Sequence, residues 1–276
     1  MRTGSILYSL LKIRWRVLVG CFLTALVFAG CKKPVDPDAW LLLNPDYKGW
    51  LVEAYQNVRV YYAPGHPQAA NMPETARRYE MALRSISQTL EMSTSTDTFK
   101  LVYYTGVGQG EALTGHFYAY ADSLGIGRFW LPCAPGIPVA QAMIRRWSPG
   151  VPKYQFLWHG LVSLFDFRGR NYHEATVGFT KDSLFIPLAG LATDTSVNSD
   201  LERHQSAEAA SFCAYVMGVY GVPALKRLYE TQLPFEEGIQ SVTGKPVDQV
   251  QQEWLQYATM GSPKYKDQIP KDTLSK

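Results

Sequence analysis

Asn57-Val-Arg-Val-Tyr-Tyr62, closed by Ala63-Pro64-Gly65 and followed from Pro73 by Ala76, Tyr79, Leu83, Ile86 and Leu90, decides the fold class. The first run alternates and is rich in β-forming residues, which predicts a strand. Pro-Gly then marks a turn. The later residues recur every three or four positions and define one apolar helix face, opened by Pro73. Moving toward the C-terminus, Phe99-Lys-Leu-Val-Tyr-Tyr104 repeats the strand pattern. His116–Tyr120 and Ile126–Leu131 predict two more strands around a turn at Asp122-Ser123. From Pro138 the pattern is helical: 138–147, 152–167, 171–179, 201–220, 223–231, 235–242 and 247–258. Gly221 and Gly244 stand where helices should stop. A strand, a helix, more strands and then a run of helices predict an α+β protein, with a small mixed sheet in front of a mainly helical C-terminal half. The Tyr pairs 61–62 and 103–104 read as strand packing.

Toward the N-terminus the composition changes. Residues 1–30 carry Arg2, Lys12, Arg14 and Arg16 and no acid, then an apolar run from Val17 to Phe28, then Ala29-Gly30. A basic head, a short apolar stretch and small residues form a secretory signal. Phe28-Ala29-Gly30-Cys31 resembles the bacterial lipobox, which implies cleavage before Cys31 and lipidation of that thiol. Phe28 departs from the usual Leu. Several acyl chains on one cysteine would hold the protein on a membrane, at about 0.8 kcal/mol per buried CH2. The reading divides the chain into a signal over 1–30, a tether and N-terminal segment over 31–50, a folded body over 51–260 and a polar, disordered tail over 261–276.

The whole chain has 27 basic and 24 acidic residues; without the signal's four basic residues, the remainder is 23 against 24. Its basic character therefore belongs to the export signal and gives no reason to expect nucleic acid. Two of the four cysteines, Cys133 and Cys213, fall in the body. In an oxidising compartment they can pair, or Cys213 can be a buried thiol in an apolar helix. There is no phosphate-binding glycine loop, Cys-x-x-Cys pair or calcium loop. Ser163 lacks the Gly-x-Ser-x-Gly setting of a serine hydrolase.

The order of elements, with Phe156-Leu-Trp-His159-Gly160-Leu-Val-Ser163, Tyr172-His173-Glu174-Ala-Thr-Val-Gly-Phe179, Ala207–Val216 running into Tyr220-Gly221, Phe235–Gly244 and Trp254, resembles the peptidase MA-like, gluzincin-type domains of zinc metallopeptidases. The likeness covers about Val58 to Ala258. In that family a His-Glu-x-x-His helix supplies two zinc ligands and a general base, and a second helix supplies a glutamate. The resemblance places His159 as the first ligand and Glu174 as the third. Gly160 stands where the catalytic glutamate belongs, and Ser163 where the second histidine belongs.

Histidines at i and i+4 share a helix face and can hold one ion, while the glutamate moves the proton of zinc-bound water. Glycine cannot act as a base, and a serine hydroxyl is a poor zinc ligand. His173 adjoins Glu174 but points about 100° away on a helix. His116 and His204 are further imidazoles. The resemblance, with these losses, implies an inactive peptidase-like domain without a cofactor. It would act as a binding or structural module in the bacterial envelope, lipid-anchored and facing the periplasm from the outer membrane. Its partner would be an envelope protein, a peptide or a glycan. The alternative is an active zinc metallohydrolase with a non-standard ligand set.

Overall fold

The computed structural model describes residues 45–93, 98–122, 125–130, 136–193 and 201–260. The signal, Cys31, the tether up to residue 44, Cys133 and the tail 261–276 lie outside the described residues. The chain divides into two compact units, 1–48 and 49–276. What is described of the first is a single 3-10 turn, Pro45–Tyr47. The second unit carries the fold that follows.

Five strands, β1 Leu51–Tyr55, β2 Val58–Tyr62, β3 Phe99–Tyr103, β4 Tyr120–Ala121 and β5 Gly127–Phe129, form one mixed sheet in the order β1-β2-β3-β5-β4. β1 and β2 make an antiparallel hairpin, β2, β3 and β5 run parallel, and β4 returns antiparallel at the far edge. Among the described residues ten helices accompany it: α1 Met72–Thr89, α2 Val107–Thr114, α3 Gly136–Trp147, α4 Gln155–Leu164, α5 Tyr172–Lys181, α6 Leu188–Thr193, α7 Leu201–Tyr220, α8 Val222–Glu230, α9 Phe235–Thr243 and α10 Val247–Met260. The α+β class and the sheet-first order follow the sequence reading. Among the described residues no helix is long and apolar enough to cross a membrane.

Alternation explains the sheet. Register places Val58 beside Phe99, Val60 beside Leu101, and Tyr62 beside Tyr103, which in turn pairs with Phe129. All seven are buried, and Ala76, Tyr79 and Ile86 of α1 and Val139 and Met143 of α3 join them in the core. Tyr61, Val102 and Tyr104 alternate with them and are also fully buried, as is Trp130. Tyr104 meets Trp130 edge-on at 5.9 Å. Both Tyr pairs are packing residues, as their strand pattern predicts.

α7 centres the helical half. Every side chain from Ala207 to Met217 is buried, Glu208 and Ser211 included, as expected of a mainly apolar helix enclosed by others. It packs on α4, α5, α8 and α10. Each large apolar side chain buried here contributes about 1.5–3 kcal/mol relative to exposure. Gly221, at φ +85°, separates α7 from α8 in a conformation that other residues rarely adopt.

The structure corrects several boundaries. The strand expected over His116–Tyr120 is reduced to Tyr120–Ala121, and Ile126–Leu131 to Gly127–Phe129. β1, α2 and α6 have no counterpart in the sequence reading. Cys213 is a free, fully buried thiol whose Sγ lies 3.9 Å from the Leu157 carbonyl oxygen.

Candidate functional site

α4 carries His159, Gly160 and Ser163. His159 and Ser163 are half-buried and share one helix face by their spacing. Gly160 is buried against α7. A Cβ placed on it would lie 2.5 Å from the Ala209 carbonyl oxygen and 2.6 Å from its carbon. The position that the resemblance assigns to a general base is therefore a point where two backbones meet. The Ser163 carbonyl accepts the Tyr172 hydroxyl at 2.7 Å, which ties α4 to the start of α5.

α5 begins at Asn171. Its Oδ1 accepts the Glu174 amide at 3.2 Å, and its Nδ2 donates to Glu174 Oε2 at 3.1 Å. Glu174 is thus an exposed third residue of the helix, engaged in a reciprocal cap and favourably placed at the positive end of the helix dipole. One residue earlier, His173 turns inward. Its Nδ1 lies 2.8 Å from Ser211 Oγ, which also accepts Trp254 Nε1–H at 2.9 Å. Tyr257 stands edge-on to the imidazole at 5.3 Å. His173 Nε2 is buried and has no hydrogen-bond partner among the described residues. Burial pushes this imidazole down to about 4, so it is neutral near pH 7.

Ser211→Ala would strip the partner from a buried indole N–H and from a buried imidazole. A loss of about 2–3 kcal/mol is expected, read as a lowered urea midpoint at unchanged slope. An unchanged midpoint would mean that this triad contributes nothing to stability.

Glu208 lies beside Ala209 on α7, has no exposed surface, and accepts the Ile186 amide through Oε1 at 3.1 Å. Burial drives its carboxyl up to about 8, only partly offset by that hydrogen bond. Sequence reasoning passed over it, although a single carboxylate inside Ala207-Glu208-Ala209-Ala210 was a visible signal. Asp166 is buried as well, although Arg168 close to it is exposed. It accepts the Arg168 amide at 2.9 Å and the Tyr172 hydroxyl at 3.2 Å, and burial raises its carboxyl.

A groove of about 560 Å3 opens beside α4. Trp158, the neighbour of His159, forms one side; Tyr118 and Tyr120, leading into β4, form another; and Arg145 of α3 reaches between them. Arg145 holds its guanidinium 5.4 Å from the Trp158 ring centre. Its Nη1 also donates to the carbonyls of Ala121 at 2.7 Å and Asp122 at 2.8 Å. Gln141 Oε1 accepts the Ala121 amide at 2.7 Å. Together these two side chains satisfy the backbone groups that β4 turns away from β5.

His159 and Glu174 are accordingly placed as a half-buried helix residue and an exposed cap, while His173, Glu208 and Asp166 are among the buried polar groups. Among the described residues no three His, Cys, Asp or Glu side chains are grouped so as to hold a metal ion. Compared with family models, curated proteins and solved structures, the chain matches none.

Proposed function

We propose that this chain is a lipid-anchored protein of the bacterial envelope, whose body keeps a gluzincin-like frame and binds a ligand without hydrolysing it. The observation that carries the reading is the contact of Gly160 with Ala209, because the space that a general base would occupy is filled by backbone. The capping role of Glu174 supports it, since a carboxylate bonded to Asn171 at the surface is committed elsewhere. So does the groove beside Trp158, which joins aromatic walls to a few polar groups in the manner of a ligand site. The anchor through Cys31 rests on the lipobox resemblance, and the outer-membrane, periplasm-facing location on Lys32, which follows that cysteine where some bacteria place an Asp that retains lipoproteins in the inner membrane.

The test is the metal content of the full chain purified in detergent, by elemental analysis, with His159→Ala as control and a peptide-hydrolysis assay alongside. The expected result is far less than one zinc per chain in both proteins and no cleavage. One zinc per chain, lost in His159→Ala together with a chelator-sensitive peptidase activity, would overturn the reading in favour of a metallohydrolase.

A further inference from the structure

We propose that the groove between Trp158, Tyr118 and Arg145 is a binding site for a carboxylate-bearing saccharide. The inference rests on the binding reading above and names the ligand class of that groove. Three observations carry it.

The first is the state of Arg145. Its Nη1 is used by two backbone carbonyls and its face lies toward Trp158, yet among the described residues no carboxylate pairs with it and no acceptor takes Nε or Nη2. The nearby acid is committed, because Asp122 Oδ2 accepts from Arg128 at 2.8 and 3.2 Å. Arg145 is exposed and held in place from two sides, with its remaining donors arranged as a fork. Such a fork matches the two oxygens of a carboxylate.

The second is the aromatic wall. Tyr118 is 49% exposed, and Phe117 beside it 68%, although both are large apolar side chains. Tyr118 and Tyr120 pack against His116 at 5.3 and 4.5 Å between ring centres, so the wall is fixed without a ligand. Faces of this kind accept the C–H faces of sugar rings, and the hydroxyls and amides at the rim, Gln155 among them, suit sugar hydroxyls.

The third observation separates a sugar from a peptide. An extended peptide docks on a sheet edge by pairing with its free amides and carbonyls. Here Gln141 and Arg145 already take the outward amide and carbonyl of Ala121, so this edge offers no vacant ladder. What remains for a ligand is aromatic surface, a side-chain amide and a cation.

The experiment is calorimetric titration of the full chain in detergent with three probes: an oligomer of three uronic acid residues, a neutral oligosaccharide of equal length, and a glutamate-containing peptide of similar size. The uronate is expected to bind, with affinity falling as salt rises, and the neutral sugar to bind about tenfold more weakly or worse. Tyr118→Ala and Arg145→Gln should each weaken uronate binding about tenfold. Tyr118→Ala is the cleaner variant, because its ring is half exposed and makes none of the backbone contacts that Arg145 makes, and its thermal midpoint is measured alongside to show that it stays folded. Equal binding of acidic and neutral sugars would overturn the role of Arg145. Peptide binding that Tyr118→Ala abolishes, with no uronate binding, would overturn the saccharide class and leave the binding reading standing, whereas cleavage of the peptide would overturn both. No binding by any probe would overturn the site itself.

Discussion

Gly160→Ala is expected to lower the stability of the folded body by about 2–3 kcal/mol, although alanine is the better helix former by about 1 kcal/mol. The two effects have opposite signs, and the steric one wins. The new methyl would meet the carbonyl oxygen of Ala209 at 2.5 Å and its Cβ at 3.0 Å. Those atoms belong to the backbone of α7 and its shortest side chain, so no rotamer change can make room. α4 and α7 would have to separate along their whole contact, which includes Phe156, Leu157 and Leu161 on one side and Phe212 and Cys213 on the other. A urea titration at unchanged slope would read the loss as a lower midpoint. Gly160→Glu, which restores the residue that the resemblance calls for, is expected to prevent folding and to restore no hydrolysis. A stable Gly160→Ala protein with a raised midpoint would mean that the helices do not touch at this point.

The second large effect is a fall in stability of about 2 kcal/mol between pH 6.5 and 8, removed by Glu208→Gln. In the fold the Glu208 carboxyl is pushed up to about 8 by burial, against an ordinary value of 4.5. Between those two values the folded chain holds a proton that the unfolded chain has released, so raising the pH favours unfolding. His173 acts in the opposite sense. Its imidazole is lowered to about 4 from 6.5, so from about 4 to 6.5 the unfolded chain binds the extra proton and stability rises with pH. Over 4.5–6.5 the two contributions oppose one another and the profile is nearly level. Above 6.5 only Glu208 remains, and stability declines until about 8. Glutamine keeps an oxygen for the Ile186 amide at the same place and carries no proton to lose. Thermal midpoints across this range should therefore slope downward in the wild type and stay level in Glu208→Gln. Parallel slopes in the two proteins would refute the assignment.

Much of the fold was legible because periodicity reports burial. β2 and β3 are short β-forming runs buried on both faces, α1 buries one regular face, and the expected elements lie within a few residues of the observed ones. β1 escaped because it is an edge strand with Leu51, Val52 and Tyr55 exposed, so it has no apolar rhythm. α2 escaped because Gly108 and Gly110 weaken any helix pattern, and Gly110 is there to pass closely over the Trp130 ring. The site was harder to read. Whether Glu174 or His173 faces inward depends on the phase of a short helix, which Asn171 sets by capping. Gly160 looked like a lost catalytic residue, but its identity answers to Ala209, forty-nine positions away in the chain, and no local pattern carries that information. The burial of Asp166 was not legible either, because it depends on Tyr172 and the turn before α5.

The two borders of the sheet are unlike. At β4 the outward amide and carbonyl of Ala121 are sealed by Gln141 and Arg145, whereas among the described residues no further strand pairs with β1. Exposed strand edges are the usual route by which sheets join one another. A sheet with one sealed border has a valency of at most one: two copies meeting through β1 would stop as a closed pair. Open-ended stacking needs two free borders on each copy, and two side-chain atoms on α3, Gln141 Oε1 and Arg145 Nη1, are enough to deny the second.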